Sequence, residues 1–251
     1  MILIVDIGNS NIVLAAFDGS NIKSKLRVPT SIKTIDSLSI LLKNSKISPG
    51  DISACIISST VPAATEPMQG FVHSYFGLEA KLVSDLNHDL LIKINRAEKL
   101  GTDILVNCFA ANRIYKKNCI IIDFGTALTF AAITAEKEFL GACITCGFHS
   151  SLQSLIAKAA QLQLPEKLCK PASVLNKNTE EAVNSGIFTS FKSIVSGNIR
   201  AIKKDFSQMN FISIVTGGSA TLFNQDLENV DFYSPDLTLC GLKLLYDFNN
   251  K

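Results

Sequence analysis

The sequence predicts an α/β protein made of two duplicated halves, each with a mixed sheet. Three observations carry this. The chain opens with a strand–turn–strand unit ending its first strand in an acid, a second copy of that unit starts 117 residues later, and apolar runs of strand length alternate with helical stripes between and after them. With 251 residues, 47% of them hydrophobic, there is enough apolar surface for one large or two small cores.

Ile2 to Asp6 and Ile12 to Phe17 are short apolar runs, and Gly8-Asn9-Ser10-Asn11 between them is turn chemistry, so the start reads as a β-hairpin. A third strand follows at Ile22 to Val28. Ile32 to Leu42 puts Ile35, Leu38, Leu41 and Leu42 on one helical face. Ile52 to Ser58 is a buried strand, and Pro62 suits the first turn of the next helix. Thr102 is placed to cap a helix whose stripe runs through Leu105, Cys108, Phe109 and Ala111 to Ile114.

The opening then recurs. Cys119 to Asp123 is an apolar strand, Phe124-Gly125-Thr126 a turn, and Ala127 to Ile133 a second strand. Leu140 to Thr145 is a third strand, with helices expected over 149–163 and 179–204. Phe211 to Thr216 is a strand, Gly217-Gly218 a break before another helix, and Asp236 to Phe248 a closing helix. Lys116-Lys117-Asn118 interrupts the apolar pattern and sets the expected division at 1–117 and 118–251.

The two turns share a chemistry. Asp6 and Gly8 correspond to Asp123 and Gly125. Glycine lets backbone N–H groups approach a phosphate with no Cβ in the way. Asn, Ser and Thr add side-chain donors, and a strand-end carboxylate can hold a cation that offsets phosphate charge. A lone Asp-x-Gly is more often a plain hairpin turn; two in the same strand context favour a clamp on a triphosphate, in a nucleotide cleft between the halves. Gly217-Gly218 after a strand offers backbone on which a purine can lie, and it comes third, in the phosphate 1, phosphate 2 and adenosine order of the actin/hexokinase-like superfamily. The halves are therefore expected to be actin/ribonuclease H-like domains.

Other classes are disfavoured. Net charge is +2, from 24 basic and 22 acidic residues, and Trp is absent, so neither a basic surface nor a stacking platform for nucleic acid is expected. No window approaches the roughly 18 uninterrupted apolar residues of a membrane span, and the start lacks the basic, longer apolar form of a secretory leader. The seven cysteines are an odd number, mostly within apolar runs such as those of Cys55, Cys108 and Cys119, which fits reduced thiols in a cytoplasmic protein.

Over nearly its whole length the chain resembles type III pantothenate kinases. The resemblance rests on Asp6-Ile7-Gly8-Asn9-Ser10-Asn11, Gly101-Thr102-Asp103, Asp123-Phe124-Gly125-Thr126-Ala127, Asn178-Thr179-Glu180-Glu181-Ala182 with Gly186, Val215-Thr216-Gly217-Gly218, and Asp236-Leu237-Thr238-Leu239-Cys240-Gly241-Leu242. It implies ATP-dependent phosphorylation of the pantothenate hydroxyl, the first step toward coenzyme A, by a cytoplasmic homodimer. It also implies Mg²⁺ carried with ATP, and a monovalent cation, potassium or ammonium. By position, Asp6, Ile7, Gly8, Asn9, Ser10, Asn11, Ile12 and Val13 form the first phosphate loop, with Asp6 also near the Mg²⁺. Thr126 falls at an ATP contact and Gly217 and Gly218 at the adenosine motif. Asp123 takes the monovalent-cation position. Asp103 is the implied general base, and Ile94, Gly101, Thr102, Asp103, Ile104 and Thr179 fall at the pantothenate site. Taken alone, Asp103 reads as a helix-start acid favourable to the helix dipole.

The departures fall on the substrate side. The family usually carries Arg after the catalytic Asp, where this chain has Ile104, and an aromatic where it has Ile94. An Asp is common near Ala131, and the usual Gly-Gly-x-Ile-x-Pro-Gly reads Gly141-Ala142-Cys143-Ile144-Thr145-Cys146-Gly147. Arg binds a carboxylate through two parallel hydrogen bonds and Ile cannot, a loss on the order of 1.5–3 kcal/mol. Lys93, Arg96 and Lys99 are candidates to compensate. These changes motivate two alternatives: an impaired paralogue acting as a regulatory or binding protein, and a kinase for another small hydroxyl metabolite. Cys143-x-x-Cys146-x-x-His149 lacks a second CxxC and reads as strand and turn rather than a zinc site. His73 and His88 read as surface or packing residues.

Overall fold

The computed structural model describes the chain except residues 44, 46, 94–99, 160, 167, 224 and 225. Ile94, Arg96 and Lys99 thus lie outside the described residues. β1 (Ile2–Ile7), β2 (Asn11–Asp18) and β3 (Asn21–Pro29) lead into α1 (Ile32–Asp36), α2 (Leu38–Lys43), β4 (Ala54–Ser59), α3 (Pro62–Phe76) and β5 (Ala80–Leu82). β6 (Leu91–Ile92) and α4 (Thr102–Tyr115) precede β7 (Asn118–Phe124), β8 (Ala127–Ile133) and β9 (Glu138–Cys146). α5 (Phe148–Lys158), α6 (Thr179–Asp205), β10 (Phe211–Thr216), β11 (Phe232–Tyr233) and α7 (Leu237–Phe248) follow.

The chain divides into two compact units. The first holds Met1–Leu90, the early part of α4 up to Ala110, and Leu237–Lys251. The second holds β6 and Ala111–Asp236. The units are not simply consecutive halves, because the closing helix groups with the first.

Among the described residues the first unit carries a five-stranded sheet in the order β3-β2-β1-β4-β5. β1, β2 and β3 pair antiparallel; β1–β4 and β4–β5 are parallel. Period-two alternation splits β1 between the faces. Leu3, Val5 and Ile7 join Leu14, Ile57, Met68 and Val72 in one core, leaving Asp6 to the opposite face. α7 packs on β1 and β4 and lies close to α4. A Cβ on Gly241 would sit 2.6 Å from the Val106 carbonyl oxygen, and Thr238 Oγ1 donates to Asn107 Oδ1 at 2.8 Å.

The second unit carries a six-stranded sheet in the order β11-β10-β7-β8-β9-β6. β7, β8 and β9 pair antiparallel, while β10 lies parallel to β7 and β11 parallel to β10. Strand order and direction through β9-β8-β7-β10-β11 repeat those of β3-β2-β1-β4-β5, so the duplication read from two short motifs extends through both sheets. The second core is aromatic. Phe148 meets Phe188, Phe191 and Phe223 edge-on, with ring centroids 5.3–5.5 Å apart.

Three helical expectations are corrected. The stripe over Ile32 to Leu42 forms two short helices, because Ser37 Oγ bonds the Lys33 carbonyl at 2.9 Å and ends α1 there. α5 stops at Lys158 rather than 163; its buried residues are Phe148 and Leu152 alone, and Leu155 is already exposed, so further turns have no apolar face to bury. The Gly217-Gly218 break leads into a single 3₁₀ stretch, Gly218–Leu222, rather than an α-helix.

Candidate active site

The first unit builds one acidic corner. In the β1–β2 turn, Gly8 N donates to the Asn11 carbonyl at 3.0 Å, and a Cβ on Gly8 would approach that oxygen to 3.3 Å. Thr30 Oγ1 donates to the Gly8 carbonyl at 2.6 Å and Thr30 N to that of Ser10 at 3.1 Å. On the other side Thr60 donates to the Ile7 carbonyl through both N and Oγ1, at 2.9 and 3.2 Å. The turn is thus braced from β3 and from β4. Ile7, Ile12 and Val13 are buried, so the turn offers outward its backbone and the exposed Asn9 and Ser10.

Asp6 sits in a row across the sheet. Register aligns Arg27 on β3 with Val13 on β2, Val13 with Asp6, and Asp6 with Ser58 on β4. Residues so aligned share a face. Desolvation first and the nearby charge of Asp103 second raise the Asp6 carboxyl from 3.8 to about 6. A hydrogen bond from Ser58 and the charge of Arg27 oppose the rise.

Asp103 stands in the first turn of α4, where its charge suits the helix dipole. Its Oδ1 accepts from the Ile104 backbone N at 2.8 Å. A Cβ on Gly101 would stand 2.6 Å from the same oxygen, so glycine there clears room for the carboxylate. Thr102, expected as a cap, instead turns its hydroxyl to the end of β4. Thr102 Oγ1 donates to the Ser59 carbonyl at 3.4 Å and lies 3.5 Å from Ser58 Oγ. Ile104 is buried, 6% exposed, and packs as an apolar helix residue. Two carboxylates, Asp6 and Asp103, therefore share one corner with Arg27 as a nearby cation.

The second unit builds the equivalent corner. Gly125 starts the β7–β8 turn, and a Cβ there would meet the Ala127 carbonyl oxygen at 3.3 Å, matching Gly8. Gly147 N donates to the Thr126 carbonyl at 3.0 Å, as Thr30 N does to Ser10, and Ser150 Oγ donates to the same oxygen at 2.8 Å. A Cβ on Gly147 would collide with the Gly125 and Thr126 carbonyl oxygens, so glycine lets the start of α5 lie against the turn. Asp123 aligns with Thr129 on β8 and Thr216 on β10. Gly217, at φ +93°, lies against the Asp123 carboxylate and the Phe124 backbone where no Cβ would fit. Thr179 is the exposed first residue of α6, behind an Asn178 cap that accepts from Glu181 N at 2.9 Å.

The corners fit the groups that a nucleotide-handling site requires. A carboxyl as strained by burial and by a second carboxylate as Asp6 gains from a divalent cation beside it. Thr216 Oγ1, buried beside Asp123 in register, has no hydrogen-bond partner among the described residues, leaving a ligand-ready oxygen at the position where a cation is expected. Thr30, Ser58 and Thr60 were not singled out by the sequence, and Thr216 entered only as part of Val215-Thr216-Gly217-Gly218; a lone hydroxyl at a strand end carries no signal until register is known.

Two sheets of one topology, each ending its first strand in Asp before a Gly turn, define a protein of the actin/hexokinase-like ATPase class. Solved structures agree on the fold. The activator of the 2-hydroxyisocaproyl-CoA dehydratase from Clostridium difficile, with bound ADPNP, aligns at TM-score 0.58 and 14% identity over 98% of this chain and 93% of that one. An archaeal actin homologue aligns at TM-score 0.54 and 13% identity, over 98% and 99%. The type III pantothenate kinase family model matches residues 2–201. The type III pantothenate kinase of Paramagnetospirillum magneticum is 36% identical over the whole of this chain and 98% of its own length. The chain belongs to the type III pantothenate kinase family, and it is an ATP-utilising kinase, a phosphotransferase.

Among the described residues, no helix is long and apolar enough to cross a membrane, and no group of three or more His, Cys, Asp or Glu side chains is arranged to hold a metal ion. Cys143 and Cys146 are exposed along β9. His73 Nδ1 pairs with Glu79 at 2.9 Å on the surface, and His88 is half-buried.

Proposed function

We propose that this kinase phosphorylates the hydroxyl of pantothenate with ATP, giving 4'-phosphopantothenate. The observation that carries the reading is the pairing of Asp103 with Asp6 beside a braced glycine turn, inside a chain of this family. ATP supplies the phosphoryl group, and Mg²⁺ carried with it offsets phosphate charge. Asp6 to Val13 hold phosphate oxygens through the turn backbone, with Asp6 toward the Mg²⁺. Thr126, Gly217 and Gly218 serve the nucleotide, and Asp123 holds a monovalent cation, potassium or ammonium.

Asp103 orients the acceptor hydroxyl and takes its proton as the new O–P bond forms and the bond to the ADP oxygen breaks. The family resemblance assigns pantothenate to Gly101, Thr102, Asp103, Ile104, Thr179 and Ile94. With Ile104 apolar and buried, the carboxylate of pantothenate needs its cation from elsewhere; Arg27, exposed and on the Asp6 row, is available within the first unit. The working form is a cytoplasmic homodimer.

The test is ADP release by purified protein with ATP, Mg²⁺ and potassium. Release that depends on pantothenate and disappears in Asp103→Asn is expected. Absence of pantothenate-dependent release with all three present rejects the acceptor.

A further inference from the structure

We propose that Ser58 is a positioning residue of the phosphotransfer site, holding the Asp6 carboxylate toward the first turn of α4, where Asp103 stands. The inference rests on the reading of Asp6 and Asp103 as the acids of that site.

Ser58 lies on β4, wholly buried, directly across the parallel ladder from Asp6. Its neighbours Ile56 and Ile57 are buried too, and a hydroxyl among them is costly unless bonded. Side by side with Asp6 in register, it is placed to donate to that carboxylate, and this opposes the rise in the Asp6 pKa. Its Oγ also lies 3.5 Å from Thr102 Oγ1, and Thr102 in turn donates to the Ser59 carbonyl at 3.4 Å. The single proton of Ser58 can go to the Asp6 carboxylate or to Thr102 Oγ1, so this hydroxyl stands between the strand end that carries Asp6 and the helix start that carries Asp103. A carboxylate has two oxygens, and its terminal torsion is soft. A donor fixed on one oxygen sets the direction of the other. Without Ser58 the Asp6 carboxylate is free to turn.

The duplication repeats the placement of the hydroxyl though not its bond, since Thr216 Oγ1 has no hydrogen-bond partner among the described residues. In the second unit Thr216 occupies the same place, wholly buried on β10 and directly across the parallel ladder from Asp123. The residues before it are apolar in both units, Ile214 and Val215 against Ile56 and Ile57. The strand-end hydroxyl beside the strand-end acid recurs.

Thr216 also supplies the variant for a test. Ser58→Ala removes the hydroxyl with little change in volume, and Ser58→Thr restores it in the form the second unit uses. Thermal midpoints within a few degrees of wild type establish that both fold. The expected result for Ser58→Ala is a loss of about 10- to 100-fold in kcat/KM for ATP, the usual range for a partner that orients a ligating group, with KM for pantothenate within about threefold. Ser58→Thr is expected to recover most of that loss. Wild-type kcat/KM in Ser58→Ala overturns the assignment, as does an equal loss in a stably folded Ser58→Thr.

Calorimetry with ATP separates this from failure of the acceptor reading. If wild type turns over no pantothenate, Ser58→Ala should still weaken Mg²⁺·ATP binding about tenfold while leaving metal-free ATP binding unchanged. Equal Mg²⁺·ATP affinity in wild type and Ser58→Ala refutes the positioning role whatever the acceptor.

Discussion

Gly217 lies with its α-carbon against the carboxylate of Asp123, so closely that a β-carbon there would overlap it. The backbone at Gly217 also has φ +93°, which L side chains rarely adopt. Gly217→Ala should therefore lose on the order of 2 kcal/mol or more, from strain and overpacking together. A urea titration should show a lower midpoint, and ATP turnover should fall because Asp123 is displaced. A variant as stable and as active as wild type would contradict the contact.

Asp103→Asn keeps an oxygen to accept from the Ile104 N–H but removes the base. The fold should persist, with kcat reduced by about 10²–10⁴ and ATP affinity close to wild type. Steady-state kinetics beside a binding isotherm checks both. A loss confined to KM would assign Asp103 to acceptor binding instead.

Asp6 makes stability depend on pH with a definite sign. Its folded pKa of about 6 lies above the ordinary 3.8, so between those values the folded state holds the extra proton. Stability contributed at this position is highest at low pH and is lost as pH rises toward 6. Asp6→Asn, which has no charge to bury, should be more stable than wild type at pH 7.5 by up to about 3 kcal/mol, with the difference closing toward pH 4. Thermal melts without nucleotide or Mg²⁺ at the two pH values test this. Because Asp103 contributes to the rise, Asp103→Asn should shrink the gap.

Gly241 lets α7 approach α4 closely. Gly241→Ala introduces a methyl 2.6 Å from the Val106 carbonyl and should cost about 1–3 kcal/mol although Ala favours helix. Chemical denaturation measures it; a stabilised variant would mean that the two helices separate at no cost.

The sequence carried the two hairpins well. Asp6 and Asp123 each close an apolar run, and Gly8 and Gly125 each punctuate a turn, so local chemistry and strand pattern agree. It carried α6 equally well, from Asn178-Thr179-Glu180-Glu181, a cap with acids in the first turn. What it did not carry depends on pairing. β5, β6 and β11 have two or three residues each, too few for an alternation to register. The division at 117/118 followed a break in apolar pattern, whereas the side on which α7 packs depends on which sheet its Leu and Gly faces complement. Ser58 and Thr216 gain meaning only from lying opposite an acid in a parallel ladder. The split of Ile32 to Leu42 depended on Ser37 choosing a backbone carbonyl over solvent.

The return of α7 to the first unit has a consequence for the order in which the chain can mature. Apart from the short β6, the second unit is an unbroken stretch, Ala111–Asp236, and can collapse as soon as it is synthesised. The sheet that starts the chain cannot: one face of β1 and β4 lacks α7 until the ribosome reaches Leu237. Through most of translation this sheet stands without its last helix, so the unit begun first is the one completed latest.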